Sequence, residues 1–225
     1  MAGNLISMNT INSFISERID DLPLLFEQIH TLEIAPILDR NLKPHGNRKG
    51  TTFGWTSVIW LAHILSRGDH RMNHVRGCVQ QTLHTLQACV PVPIAELDFT
   101  DDRLADVLEA LSDDAAWQAI QGDLNRQTIT VFELPTDLVR LDATTITVDT
   151  DPRGLLRMGH SKDHRPDAPQ VKVMMASLDP LAMPLVTQVV AGNSADDPLY
   201  LPAVEAVRAS IKKDRKSTRL NSSHW

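Results

Sequence analysis

Apolar residues in the first 130 positions recur three or four apart, the spacing of a helix with one buried face. Leu24, Leu25, Ile29, Leu32, Ile34, Ile37 and Leu38 predict one or two helices between Leu22 and Leu42, with Pro36 as a break or first turn. Pro and Gly mark 42–50 as a loop. Trp55, Val58, Ile59, Ala62 and Leu65 predict a helix that stops at Gly68. Val75, Val79, Leu83 and Leu86 predict one more, ended by Val90-Pro91-Val92-Pro93. Thr100 offers an N-cap, Asp101 and Asp102 suit the positive end of the helix dipole, and Leu104, Val107, Leu108 and Leu111 give a buried face. Asp113 or Asp114 opens a further helix with Trp117, Ile120 and Leu124 inward.

The pattern changes near residue 129. Thr130–Leu134 is short and β-branched, and Leu138–Val148 is strand-like by its Val, Ile and Thr content. A Gly- and charge-rich connection over 149–167 leads to a second strand, Val171–Leu178, turned by Asp179-Pro180, and a third, Pro184–Val190. Asp196-Asp197-Pro198 then opens a helix containing Leu199, Leu201, Val204, Val207 and Ile211. The expected fold class is α+β: a flexible N-terminus over 1–19, a helical N-terminal domain over 20–128, and over 129–213 three strands running into a helix, the start of an α/β layer.

Composition narrows the function classes. With 225 residues, 42% of them hydrophobic, the chain can bury one or two cores. No apolar run approaches the ~18 residues of a membrane span, and the N-terminus lacks the basic-then-apolar order of a signal peptide, so a cytosolic protein without membrane contact is expected. Cys78 and Cys89 are not paired as CxxC and read as buried or idle thiols. A net charge of -6 argues against a chain-wide grip on DNA. Between Asp39 and Arg76, however, seven basic residues face two acidic ones, with five histidines in or just beyond the segment. That segment is either a solvated loop and helix face or a DNA-contacting surface presenting Arg48, Lys49, Arg71 and Arg76.

The last residues stand apart. Reverse translation of Asp214–His224 allows a string that looks like a common short-read sequencing adapter, so 214–225 is set aside as an artefact, and the natural protein is expected to continue past Lys213.

The residue with most chemical promise is Asp142, mid-strand in Leu141-Asp142-Ala143-Thr144-Thr145. A carboxylate on a central strand is costly unless hydrogen-bonded, paired or metal-bound. Two readings stand: local hydrogen bonds to Thr144 or Thr145, or a metal ligand.

The surrounding motifs bear on the choice. Asp142-Ala143-Thr144 has the D-x-T form of a first catalytic aspartate; Asp101-Asp102-Arg103-Leu104 lies upstream, Gly159-His160-Ser161-Lys162-Asp163-His164-Arg165-Pro166-Asp167 and Gly192-Asn193-Ser194-Ala195-Asp196 downstream. In identity, order and spacing these resemble the DDE insertion-sequence transposases, with His160 for a usual tyrosine and Ser194 for a threonine. The resemblance runs from about residue 20 to 213. It implies that 129–213 is the opening of an incomplete ribonuclease-H-like α/β catalytic domain. It also implies an enzyme that cuts transposon ends and joins the freed 3′-hydroxyl to target DNA, with three carboxylates holding two Mg²⁺ (or Mn²⁺) ions. Asp142 would be the catalytic, metal-bridging carboxylate; the family's second Asp and its Glu have no motif match here. Asp179 reads as a turn residue and Asp196 or Asp197 as a helix cap. The implied partners are transposon-end and target DNA, with a homo-oligomer on DNA and a nucleoid location. Lys162, His164 and Arg165 either belong to a polar turn or hold DNA phosphates. A fragment with one carboxylate is expected to be inactive. The alternatives are a non-catalytic DNA-binding protein acting through the helical domain, and a nuclease on the same fold.

Overall fold

The computed structural model describes residues 16–44, 46, 49–160, 165 and 167–211. The central helix of the N-terminal layer is α3, Phe53–Arg67, buried at Val58, Ile59 and Ala62. Its start is fixed twice: the Thr52 side chain accepts from Trp55 N, and Asp39 Oδ1 accepts from Gly54 N at 2.6 Å. It ends at Gly68, whose φ of 63° suits the left-handed cap. On it pack α1 (Leu22–Thr31), α2 (Ile34–Asn41), α4 (Met72–Gln81) and α6 (Asp101–Leu111), and α5 (Leu83–Cys89), a 3-10 turn at Glu96–Phe99 and α7 (Asp114–Val131) complete the layer. Phe26, Ile37, Phe99, Leu104, Val107 and Ile120 supply the large buried side chains of this layer. Burying each such side chain stabilises the fold by about 1.5–3 kcal/mol.

The second layer is an antiparallel sheet in the order β1-β2-β3: β1 (Val139–Thr147), β2 (Gln170–Leu178) and β3 (Met183–Ala191). Asp142 lies opposite Met175 and Thr145 opposite Lys172; Met175 in turn lies opposite Thr187. Helix α8 (Asp197–Ile211) covers one sheet face, setting Ala203 against Ala143 and Met174, and Val207 against Ala176, Leu178, Leu185 and Val186. α7 runs along the outer edge of β3. Gln121 Oε1 accepts from Thr187 N at 2.7 Å, Asn125 Nδ2 donates to Leu185 O, and Trp117 Nε1 donates to Thr187 O. Polar helix side chains thus satisfy an edge that a neighbouring strand would otherwise occupy.

The α+β class and all three strands agree with the sequence reading; several details differ. The segment from Val75 to Leu86 is two helices, because Thr82 leaves the helical region (φ -125°, ψ 24°) and turns its hydroxyl back to Cys78 O. Leu108 is half exposed and Leu201 more so, so each helix buries a narrower face than expected. Trp117 is 38% exposed rather than inward. Thr130 and Val131 close α7, and the change of layer comes after residue 131. β1 is an edge strand among the described residues, and Asp142 is exposed. The desolvation that would have forced a partner on a central-strand carboxylate does not act on it. No helix among the described residues is long and apolar enough to cross a membrane.

Candidate functional site

Strand alternation puts Arg140, Asp142, Thr144 and Ile146 on the sheet face turned away from α8, and Leu141, Ala143 and Thr145 beneath the helix. Asp142 therefore points to the open face, beside Met175 of β2, which is 41% exposed. Its Oδ1 accepts from Ala143 N at 2.9 Å, a contact to its own neighbouring amide rather than to Thr144 or Thr145. The adjacent cation on this face is already engaged, since Arg140 Nε donates to Asp179 Oδ2 at 2.6 Å. Asp179 lies in the turn after β2, as its sequence context suggested, and its N–H continues the β1–β2 ladder by donating to Leu138 O. Among the described residues no group of three His, Cys, Asp or Glu side chains is placed to hold a metal ion. Asp142 alone does not make a two-ion site.

The motif loops meet at the end of the sheet near Thr147. Gln170 opens β2, is fully buried, and donates its side-chain amide to His160 O and to Gly192 O, each at 3.0 Å. Gly159 and Gly192 head the two downstream motifs, and both sit where a side chain has no room. A Cβ on Gly159 would lie 2.3 Å from Gly192 O, and one on Gly192 would lie 2.0 Å from Gln170 O. Lys172, buried beside Thr145, donates to Ser194 O at 2.5 Å and to Asp196 Oδ1. Asp196 is thus the counter-ion of a buried lysine, and Asp197 is the first residue of α8. Ser161, Lys162, Asp163, His164 and Pro166 lie outside the described residues. Arg165 pairs with Asp167 and Asp149, which raises its guanidinium above its ordinary value, and its hydrogen bonds lower the Asp167 carboxyl from its own.

The upstream motif has a structural role as well. Arg103 donates to Asp98 Oδ1 at 2.8 Å and to Lys49 O, while Asp98 Oδ2 accepts from Thr51 N and Oγ1. Gly50, at φ 92°, is the residue that lets the loop pass over Asp98. Leu104 is fully buried. Asp98, Gln170 and Lys172 were not singled out from sequence. Their only signal there is a polar residue inside an apolar run.

The basic segment is less positive than a count along the chain suggests. Arg40 pairs with Asp123, Arg67 with Asp20, and Arg76 with Glu96 at 2.8 Å, each acid coming from outside the segment. Arg71 grips Asp69 through Nε and Nη2, both at 2.9 Å. The Arg71 and His74 hydrogen bonds hold Asp69 far below the usual carboxylate range. Lys49 is exposed, and Arg48 lies outside the described residues. The Arg71 and Arg76 side chains themselves stay exposed beside these carboxylates.

Comparison of the chain with protein-family models, with curated proteins and with solved structures finds no match.

Proposed function

We propose that the chain belongs to the DDE insertion-sequence transposases and contributes Asp142 to a site that cleaves and joins DNA. The observation that carries this reading is the D-x-T aspartate, exposed in the middle of the first strand of an antiparallel β1-β2-β3 meander that runs into a helix. The clasp between the loops headed by Gly159 and Gly192 supports it, because two distant motif matches meet in one place. Bound divalent ions would activate the attacking oxygen and stabilise the leaving one in such a reaction. Among the described residues no group of three His, Cys, Asp or Glu side chains is placed to hold a metal ion, so no metal-dependent step is assigned to this chain by itself. What the chain offers alone is DNA contact, through Lys49, Arg71 and Arg76 on the helical layer and Arg165 beside the sheet.

The test is an electrophoretic shift on DNA flanking the chain's own coding sequence, followed by incubation with Mg²⁺ or Mn²⁺. Salt-sensitive binding is expected, weakened when Arg71 and Arg76 are neutralised and unchanged by Asp142→Ala. No joined product is expected from the chain alone. Joined products abolished by Asp142→Ala would overturn the assignment of an incomplete site, and products cut but never joined would favour a nuclease. Binding indifferent to salt and to the arginine substitutions would count against the DNA reading altogether.

A further inference from the structure

His63 lies near the C-terminal end of α3 with 5% of its surface exposed, and neither ring nitrogen has a hydrogen-bond partner among the described residues. On the same helix, Trp60 Nε1 and Ser66 Oγ are likewise buried without partners. Burying polar groups in this way disfavours any further gain of charge. The acid next to His63 is Asp69, in the turn between α3 and α4, and its carboxylate is already occupied. It accepts from Arg71 N at 3.0 Å, from the Arg71 guanidinium, and pairs with His74 Nδ1 at 2.8 Å.

We infer that the corner between α3 and α4 is an acid-sensitive latch, in which protonation of buried His63 loosens the packing of α4 on α3. A proton gained by His63 adds a cation that Arg67 of its own helix and His74 of α4 repel and that Asp69, already engaged, attracts. Asp20, ahead of α1, is drawn to Arg67 at 3.5 Å. The charged and titratable groups that the other helices bring to α3 act at its far end. His30 of α1 packs its ring on Trp55, Asp39 of α2 binds Thr52 and Gly54, and Arg103 of α6 binds Asp98 and Lys49 O ahead of the helix.

Burial pushes the His63 imidazole below its ordinary value; Asp69 works against this, and Arg67 and His74 add to it. The folded chain therefore favours the neutral ring, whereas the unfolded chain takes a proton near the ordinary imidazole value of about 6.5. Stability is full above that value and is lost as pH falls from it toward the depressed folded value. The loss in the folding constant is about tenfold for each pH unit by which the ring is depressed. The latch does not depend on the DNA reading, although α4 also carries Arg76 and begins beside Arg71.

Two measurements test it. The first follows the His63 ring of the wild-type chain by NMR between pH 8 and 5; it should titrate below its ordinary value. The second compares hydrogen exchange in α4 at pH 7.5 and 5.5, corrected for intrinsic pH dependence, in wild type, His63→Gln and His63→Leu. Val75 and Val79 amides should lose protection on acidification in wild type and keep it in both variants. An ordinary titration of the ring, or the same acid-induced loss in wild type and variants, would overturn the latch. The ring titration stands even where a variant fails to fold.

Discussion

Gly192→Ala adds one methyl group at the point where the clasp is tightest. The new Cβ would sit 2.0 Å from Gln170 O, 2.7 Å from Gln170 C and 2.8 Å from Arg157 O. All three are backbone atoms. Gln170 and Arg157 are also bonded to each other in both directions, N–H to O, at 3.0 Å, so neither can move away independently. Gly192 N itself donates to Leu155 O at 3.1 Å, which ties the loop of Gly192 in place. Overpacking of a well-packed site costs about 1–3 kcal/mol, and more when the obstacle is backbone. Taking ~3 kcal/mol, and about 2–4 °C per kcal/mol for a chain of this size, the midpoint should fall by roughly 6–12 °C. Thermal denaturation followed by circular dichroism reads this directly. A midpoint within about 2 °C of wild type would refute the reasoning, because it would mean that the loops carrying the two downstream motifs are not held against β2 as described.

Gly77→Ala is the opposite case: nothing lies within 4 Å of a Cβ built in the interior of α4, so it should raise stability by roughly 0.5–1 kcal/mol in the same melts. A drop would show that α4 is more closely packed at that face than the structure has it. Asn125→Leu removes the donor to buried Leu185 O on the α7-facing edge of β3, and should cost about 1–3 kcal/mol in chemical denaturation; an unchanged midpoint would mean that α7 does not guard that edge.

Much of the secondary structure was legible because each element's own pattern decides it. The stop at Gly68, the helix start after Thr100 and the β-branched content around Asp142 are local signals, and the backbone follows them, although the Thr100 side chain makes no cap bond. What the sequence left open depended on distant partners. In Val171-Lys172-Val173-Met174, Lys172 and Met174 are buried, while Val171 and Val173 are only partly covered. The lysine can sit there because Asp196 and Ser194 O, more than twenty residues on, receive its ammonium. Ile129 is in a helix despite its strand propensity because it packs on the cluster formed by Ala176, Leu185 and Val207. The basic segment looked opposed by only two acids since Asp20, Glu96 and Asp123 reach it only in the folded chain. Asp142 was found by its motif. Its exposure follows from its place on the sheet face that α8 leaves uncovered, which no pattern within 139–147 records.

The most direct test of the transposase reading asks the chain to choose its own DNA. Sheared genomic DNA from the source organism is incubated with the purified chain near physiological salt, and the retained fragments are sequenced. The account predicts enrichment of two short inverted repeats flanking the chain's own coding sequence, reduced when Arg71 and Arg76 are neutralised. Uniform recovery across the genome, or enrichment of sites unrelated to that coding sequence, would contradict it.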